Sequence, residues 1–241
     1  MSFRLLPGLA LLFGNACIAS MADQTLATKH ESFPAVNVTF AQLETGAGSL
    51  TIHGRQGATS IEVEAVYKGN ARSQEDIQRI LENLKLTTEL RGSTFSLKTE
   101  QTGRQNWTGD SGSIDLIITL PPSLALDIDD GSGSVVISGM GSNVRIEDGS
   151  GSIELGGIAG NVTVEDGSGS IRIHDINGGV EIHDGSGEID IRHVGGTVRI
   201  HDGSGSISVE DLDGDFIVAG DGSGSIHHSG VRGKVDIPRR K

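Results

Sequence analysis

The pentapeptide Asp-Gly-Ser-Gly-Ser, or its variant ending in Glu, begins at Asp130, Asp148, Asp166, Asp184, Asp202 and Asp221. The intervals are 18, 18, 18, 18 and 19 residues, the last lengthened by one residue near Gly220. A fixed period of this length dictates stacked copies of one small unit, because a single copy is too short to bury its own apolar face. Each unit splits into two nine-residue halves, as in residues 166–174 (DGSGSIRIH) followed by 175–183 (DINGGVEIH). Both halves read as a turn, a glycine and then aliphatic residues at every second position, the period of a half-buried strand bounded by turn residues. The expected fold is all-β: a parallel β-solenoid with two strands per 18-residue coil.

Stacking places equivalent residues in columns about 4.8 Å apart. On the first face the inward columns read Val135, Ile153, Ile171, Ile189, Ile207, Ile226 and Ile137, Leu155, Ile173, Ile191, Val209. On the second they read Val144, Val162, Val180, Val198, Phe216, Val235 and Ile146, Val164, Ile182, Ile200, Val218, Ile237. β-Branched residues suit such pleated, packed surfaces. A further column, Met140, Ile158, Ile176, Val194, Leu212, Val231, makes one corner of each coil apolar, whereas the other corner is DGSG. Outward positions alternate in sign from coil to coil, as in Glu154, Arg172 and Asp190, which favours parallel stacking in register.

At the DGSG corner the glycines supply positive φ, and the leading aspartate is expected to accept hydrogen bonds from amides two residues on. Two carboxylates about 4.8 Å apart repel by roughly 0.9 kcal/mol even in water. The aspartate column therefore needs relief, from backbone hydrogen bonds or from cations. Calcium or another cation held by Asp130, Asp148, Asp166, Asp184, Asp202 and Asp221 is the alternative functional reading.

The amino-terminal half is less regular. Gly46-Ala47-Gly48-Ser49-Leu50 and Asp110-Ser111-Gly112-Ser113-Ile114 read as worn copies of the same turn and strand. Between them Ile77, Ile80, Leu81 and Leu84 recur at helical spacing behind Ser73 and Asp76, a box-like start signal, so one short helix is expected at about 73–86. Strands over 86–99 and 123–129 return the chain to the stack, after a loop at Pro121-Pro122. The expected organisation is a signal peptide over 1–22, irregular solenoid coils over 23–129, the regular DGSGS solenoid over 130–238 and a basic tail over 239–241.

The signal-peptide reading rests on Arg4, an apolar run from Leu5 to Ile18 and small residues ending at Ala22. The run is broken by Pro7 and Gly14 and is shorter than the roughly 20 residues a membrane span needs, so no stable membrane insertion is expected. Cys17 is the single cysteine and lies in this segment; lipidation there would need a leucine three residues upstream, where Gly14 stands. The remaining 18 basic and 32 acidic residues give −14, a surface that repels nucleic acid and anionic lipid and attracts cations.

These features together, a signal peptide, degenerate GxGS-L-x-I strands, Leu120-Pro121-Pro122 and then serial DGSGSI coils, resemble the bacterial putative-adhesin β-strand repeat family. The resemblance covers about residues 34 to 238. It implies an extracytoplasmic β-solenoid named for adhesion and offers no catalytic residue to carry over.

Other motifs read as structure. Gly109-Asp110-Ser111-Gly112 matches a protease nucleophile segment, but it falls in register with a repeat turn and no matching histidine segment precedes it. The acidic run from Asp211 to Asp215 would need glutamate at the twelfth position of a calcium loop, where Gly222 stands. His174, His183, His201 and His227 occupy outward strand positions, and only His183 and His201 share a column on adjacent coils. Few aromatics are present, with Trp107 and Tyr67 the only Trp and Tyr, which disfavours a lectin platform. No catalytic, cofactor-binding or metal-ligating residue is assigned. The expectation is an exported, monomeric, non-catalytic structural or interaction protein of the periplasm or cell surface, with an envelope or surface protein as partner, no nucleic acid and no cofactor. Pro238 and the basic tail are expected to guard the last strand against end-to-end pairing.

Overall fold

The computed structural model describes residues 24–102 and 112–237. Residues 1–23 with Cys17, 103–111 with Trp107 and 238–241 lie outside the described residues. The chain begins with β1 (Gln24–Pro34), β2 (Phe40–Ala47), β3 (Leu50–Gly54), β4 (Ser60–Gly69), α1 (Gln74–Asn83), β5 (Leu84–Arg91), β6 (Thr94–Gln101) and β7 (Gly112–Leu120). The repeats follow as β8 (Ala125–Ser138), β9 (Val144–Asp148), β10 (Gly151–Ile158), β11 (Val162–Asp166), β12 (Gly169–Ile176), β13 (Val180–Asp184) and β14 (Gly187–Val194). They end with β15 (Val198–Leu212), β16 (Phe216–Val231) and β17 (Val235–Asp236).

From β8 onward the chain is a parallel β-solenoid of about six coils. Equivalent residues pair in register, Ile153 with Ile171 and Ile171 with Ile189 on one face, Val162 with Val180 and Val180 with Val198 on the other. The inward columns from Val135 to Val209 and from Val144 to Val218 are buried, as is the corner column from Met140 to Leu212. The extra residue of the 19-residue interval is absorbed as a bulge: Ile200 pairs with Val218 but His201 with Gly220, leaving Ala219 over. At the last coil the columns fray, because among the described residues only β17 covers them, at Phe216 and Ile217. Val235, expected inward, is 37% exposed, and His228 takes the place opposite Val209 and is exposed.

The second glycine of each DGSG turn is obligatory. Gly169 has φ +150°, and a Cβ there would lie 1.6 Å from the carbonyl oxygen of Gly151 in the coil beneath.

The parallel stack extends further toward the amino terminus. β2 and β3 lie on β8 as a coil of their own, with Phe40 opposite Ala125 and Leu50 opposite Val135. Gly48 (φ +128°) turns the chain as Gly133 (φ +134°) does in the next coil. β6 then pairs in parallel with β2, and β7 with β3. Aligning the two worn motifs would set Leu50 opposite Ile114, but the partner is Leu116. A slip of two residues keeps the same face inward, so Ile114 and Leu116 are both buried. Beyond this layer the pairing turns antiparallel, with β5 on β6, β4 on β7 and β1 on β4.

The helix starts where its box-like signal places it. The Ser73 hydroxyl accepts from the Asp76 amide at 3.1 Å, and the Asp76 carboxylate accepts from the Arg72 amide at 3.1 Å. It stops at Asn83, three residues before the expected end, because Leu84 is drawn into the β5–β6 hairpin opposite Gln101. Buried Ile80 sits beside Gly69 and Gly112; a Cβ would lie 2.7 Å from it at Gly112, a collision, and 3.1 Å from it at Gly69, a tight contact.

Candidate functional site: an inward aspartate ladder

On the second face the inward alternation does not stop at the aliphatic residues. In β9 it runs Val144, Ile146, Asp148; β11 and β13 repeat it with Asp166 and Asp184. The leading aspartates are thus core positions: Asp130, Asp148, Asp166, Asp184 and Asp202 are only 2–6% exposed. Asp148 pairs with Asp166 and Asp166 with Asp184 in the parallel ladder, so the carboxyls stack at coil spacing.

One oxygen of each carboxyl is satisfied. The Oδ1 atoms of Asp148, Asp166, Asp184 and Asp202 accept from the amides of Ser150, Ser168, Ser186 and Ser204 at 2.9–3.1 Å, the bonds two residues on that the sequence predicts. In the first coil the Thr45 hydroxyl donates to Asp130 Oδ1 at 2.5 Å instead. The other oxygen is the anomaly. Oδ2 of Asp130, Asp148, Asp166 and Asp184 is buried with no hydrogen-bond partner. Such a group costs on the order of 1–3 kcal/mol, more when charged.

Burial disfavours the charged form, and the neighbouring carboxylates add to the effect. Burial, aided by Asp148 and Asp129, pushes Asp130 up to about 6 against the pull of the Thr45 hydrogen bond. Burial with Asp166 and Asp202 pushes Asp184 up to about 6. Asp148 and Asp166 are raised as well, chiefly by burial, with the serine amides pulling the other way. Protonation is the least demanding way to neutralise a carboxyl that already makes its turn bond through Oδ1.

Outside the ladder runs a second row, Asp129, Glu147, Glu165 and His183, all exposed. Together the rows line a shallow trough of about 680 Å³ along the corner. Arg145 bridges coils beside the outer row, through Asp127 at 3.8 Å and Glu165 at 2.9 Å. The His183 and His201 rings stack at 5.8 Å, the shared column expected from their spacing. Among the described residues no group of three or more His, Cys, Asp or Glu side chains is placed to hold a metal ion.

A second polar cluster occupies the opposite, apolar corner. Asp175, His193 and Asp211 adopt left-handed backbone (φ 57°, 54° and 54°) on successive coils. His193 reaches Asp175 at 3.4 Å and Asp211 at 3.5 Å, and His174 lies 2.9 Å from Asp175. Asp213 and Asp215 of the supposed calcium loop are engaged by Arg232 and the Lys234 amide, as an ordinary turn requires. Most of the protease-like segment lies outside the described residues; its Gly112 opens β7. No helix among the described residues is long and apolar enough to cross a membrane.

No family model and no curated protein matches the chain. Solved structures do. A "putative cell adhesion protein" from Clostridium sporogenes is 12% identical with a TM-score of 0.33, covering 84% of this chain and 100% of its own. A "putative adhesin" from Bacteroides fragilis is 14% identical with a TM-score of 0.32, covering 87% and 96%. A "putative lipid binding protein" from Parabacteroides distasonis is 12% identical with a TM-score of 0.30, covering 88% and 97%. At these identities and scores the functions in those names remain theirs alone.

Proposed function

We propose that this chain is an exported, non-catalytic interaction protein of the envelope or cell surface, which presents its acidic trough to a cationic surface of a protein partner. The observation that carries the reading is the outer row itself. Asp129, Glu147 and Glu165 stand at the same exposed position on three successive coils, held at strand spacing by the in-register ladder. A rigid row of like charges steers and aligns a partner of opposite charge. The adhesin-type resemblance of the repeats agrees in class.

The test is capture from envelope extracts by the 23–241 protein and by a variant carrying Asp129→Asn, Glu147→Gln and Glu165→Gln. These side chains face solvent, so the variant keeps the fold. Capture of one protein that weakens with salt and is lost in the variant supports the reading; equal capture by both proteins refutes it.

Cation binding by the aspartate ladder is the second reading, and the partnerless Oδ2 atoms are what favour it. Against it, these atoms are closed to solvent, and protonation removes their charge without a cation. Calcium at millimolar concentration is therefore expected to move the melting temperature by less than about 1 °C. A saturable rise that sodium at matched ionic strength does not reproduce, and that Asp166→Asn with Asp184→Asn removes, would establish the cation reading instead.

A further inference from the structure

Asn177-Gly178 is the only Asn-Gly pair in the sequence, and it stands at the bend between β12 and β13, next to the corner residue Ile176. An asparagine before glycine is the pair most open to attack by the following backbone nitrogen on the side-chain carbonyl carbon, because glycine has no Cβ to hinder the approach. A fold permits that attack only where the carboxamide and the next amide are both unengaged. Both are so here: among the described residues neither the Asn177 carboxamide nor the Gly178 N–H has a hydrogen-bond partner, and Asn177 is exposed. Stacking holds glycine at position 178, since a Cβ there would lie 2.4 Å from the Gly160 carbonyl oxygen of the coil beneath.

Comparable pairs elsewhere are locked. The amides that follow Asn37, Asn83, Asn143 and Asn161 donate to the carbonyls of Ala35, Ile80, Asn161 and Gly179. The side-chain oxygens of Asn143 and Asn161 also accept, from the amides of Asn161 and Gly179 at 2.9 and 2.8 Å. In the repeat turns Gly149, Gly167 and Gly185 follow aspartates, but their amides donate to the carbonyls of Asp130, Asp148 and Asp166 at 2.9–3.0 Å, and the carboxyls are held by serine amides. Asp213-Gly214 takes the place of Asn177-Gly178 two coils on; its carboxylate is held by Arg232 at 2.5 Å and has no leaving group comparable to ammonia.

We propose that Asn177 is a site of spontaneous covalent modification, deamidating through its own backbone. The Gly178 nitrogen attacks Asn177 Cγ, the side-chain nitrogen leaves as ammonia with the Gly178 amide proton, and a succinimide ring closes. Water then opens the ring. Cleavage between the ring nitrogen and Cγ restores the ordinary main chain with an aspartyl side chain; cleavage between that nitrogen and the main-chain carbonyl carbon leaves isoaspartate, whose main chain is one carbon longer. Each product adds a negative charge to a trough of about 440 Å³ that Asn177 lines together with Asp175, His193, Asp211 and Arg232. The longer chain also disturbs the coil, because Ile176 and Val180 on either side are fixed in register to Ile158 and Val162 beneath. The site lies at the opposite corner from the aspartate ladder and does not depend on the function proposed for the acidic trough.

The test is to age the 23–241 protein at pH 8 and 37 °C beside the free peptide of residues 173–182, following both by peptide mass mapping, with isoaspartate detected by an isoaspartate-specific methyltransferase. Position 177 is expected to exchange its amide for an acid with first-order kinetics, no more than about thirtyfold slower than in the peptide, and to yield both products. The turns at Asp148, Asp166 and Asp184 are expected to stay free of isoaspartate while the protein is folded and to acquire it when the protein is aged in guanidinium. Asn177→Ser, a change at an exposed side chain, should abolish the modification at this position. Aged wild type should melt below fresh protein, whereas fresh Asn177→Asp and aged Asn177→Ser should melt as fresh wild type does. A rate at position 177 more than about thirtyfold below that of the peptide, or isoaspartate forming in the folded repeat turns as fast as at position 177, would overturn the proposal. Equal melting of aged and fresh wild type would overturn the effect on the coil.

Discussion

Each coil turns twice, and the two corners solve the same geometric problem with opposite chemistry. At one corner Ile158, Ile176 and Val194 fill the interior with hydrocarbon. At the other, Asp148, Asp166 and Asp184 are as well buried yet polar, each holding its turn through a serine amide. The apolar corner needs no partner for its side chain, but must bend the chain with left-handed residues, including the non-glycines Asp175, His193 and Asp211. The aspartate corner fixes its own backbone and leaves Oδ2 of Asp130, Asp148, Asp166 and Asp184 unsatisfied. A buried carboxyl is tolerated where the local backbone supplies a donor to it; elsewhere in the same core it would not be.

That contrast breaks most sharply if a carboxyl is moved to the wrong corner. Ile176→Asp places one where no amide is organised to receive it, and is expected to cost about 4 kcal/mol in urea unfolding. A loss below about 1 kcal/mol would mean that this core accepts a carboxyl anywhere. The turn is the next lever. Gly169→Ala meets both a forbidden φ and the Gly151 carbonyl, and is expected to cost about 3 kcal/mol; a neutral result would contradict the close stacking of adjacent turns.

The period, the strand alternation and the aliphatic columns are legible in the sequence because six near-identical coils align every inward residue with its equivalents. The inward aspartates are less legible, since Asp before Gly reads as a solvated turn. The signal was nevertheless present: Asp148 stands two residues after Ile146 and four after Val144, which continues the same alternation. The antiparallel strands β1 and β4 could not be read, because no repeat aligns them and their pairing is long-range, whereas β5 falls mostly within the strand expected over 86–99 and only its antiparallel pairing was not read. Val235 misled for a physical reason: alternation marks which way a side chain points, and burial also needs another coil above it.

The ladder also sets a pH dependence with a definite sign. An aspartate raised from 3.8 toward 6 in the folded state binds protons there that the unfolded chain does not yet bind, so its contribution grows as pH falls from about 6 to 4 and is complete below. Exposed Asp76 and Asp175 are lowered by their hydrogen bonds and act oppositely, losing stability below the unfolded value. Comparison with Asp148→Asn, Asp166→Asn, Asp184→Asn combined isolates the ladder. Wild type is expected to gain about 2 kcal/mol relative to that variant between pH 7.5 and 4.5. A constant difference would mean that the ladder does not titrate in this window.

The most direct test of the central claim, that the aspartates are buried and hold protons where ordinary carboxyls do not, is a carbon-13 NMR titration of the aspartate side-chain carboxyls in the folded protein. The account predicts that Asp184 titrates at about 6, with Asp148 and Asp166 also above 3.8, while Asp175 titrates below 3.8. Midpoints for the three ladder residues at or below 3.8 would contradict it and return the DGSG corner to an ordinary solvated turn.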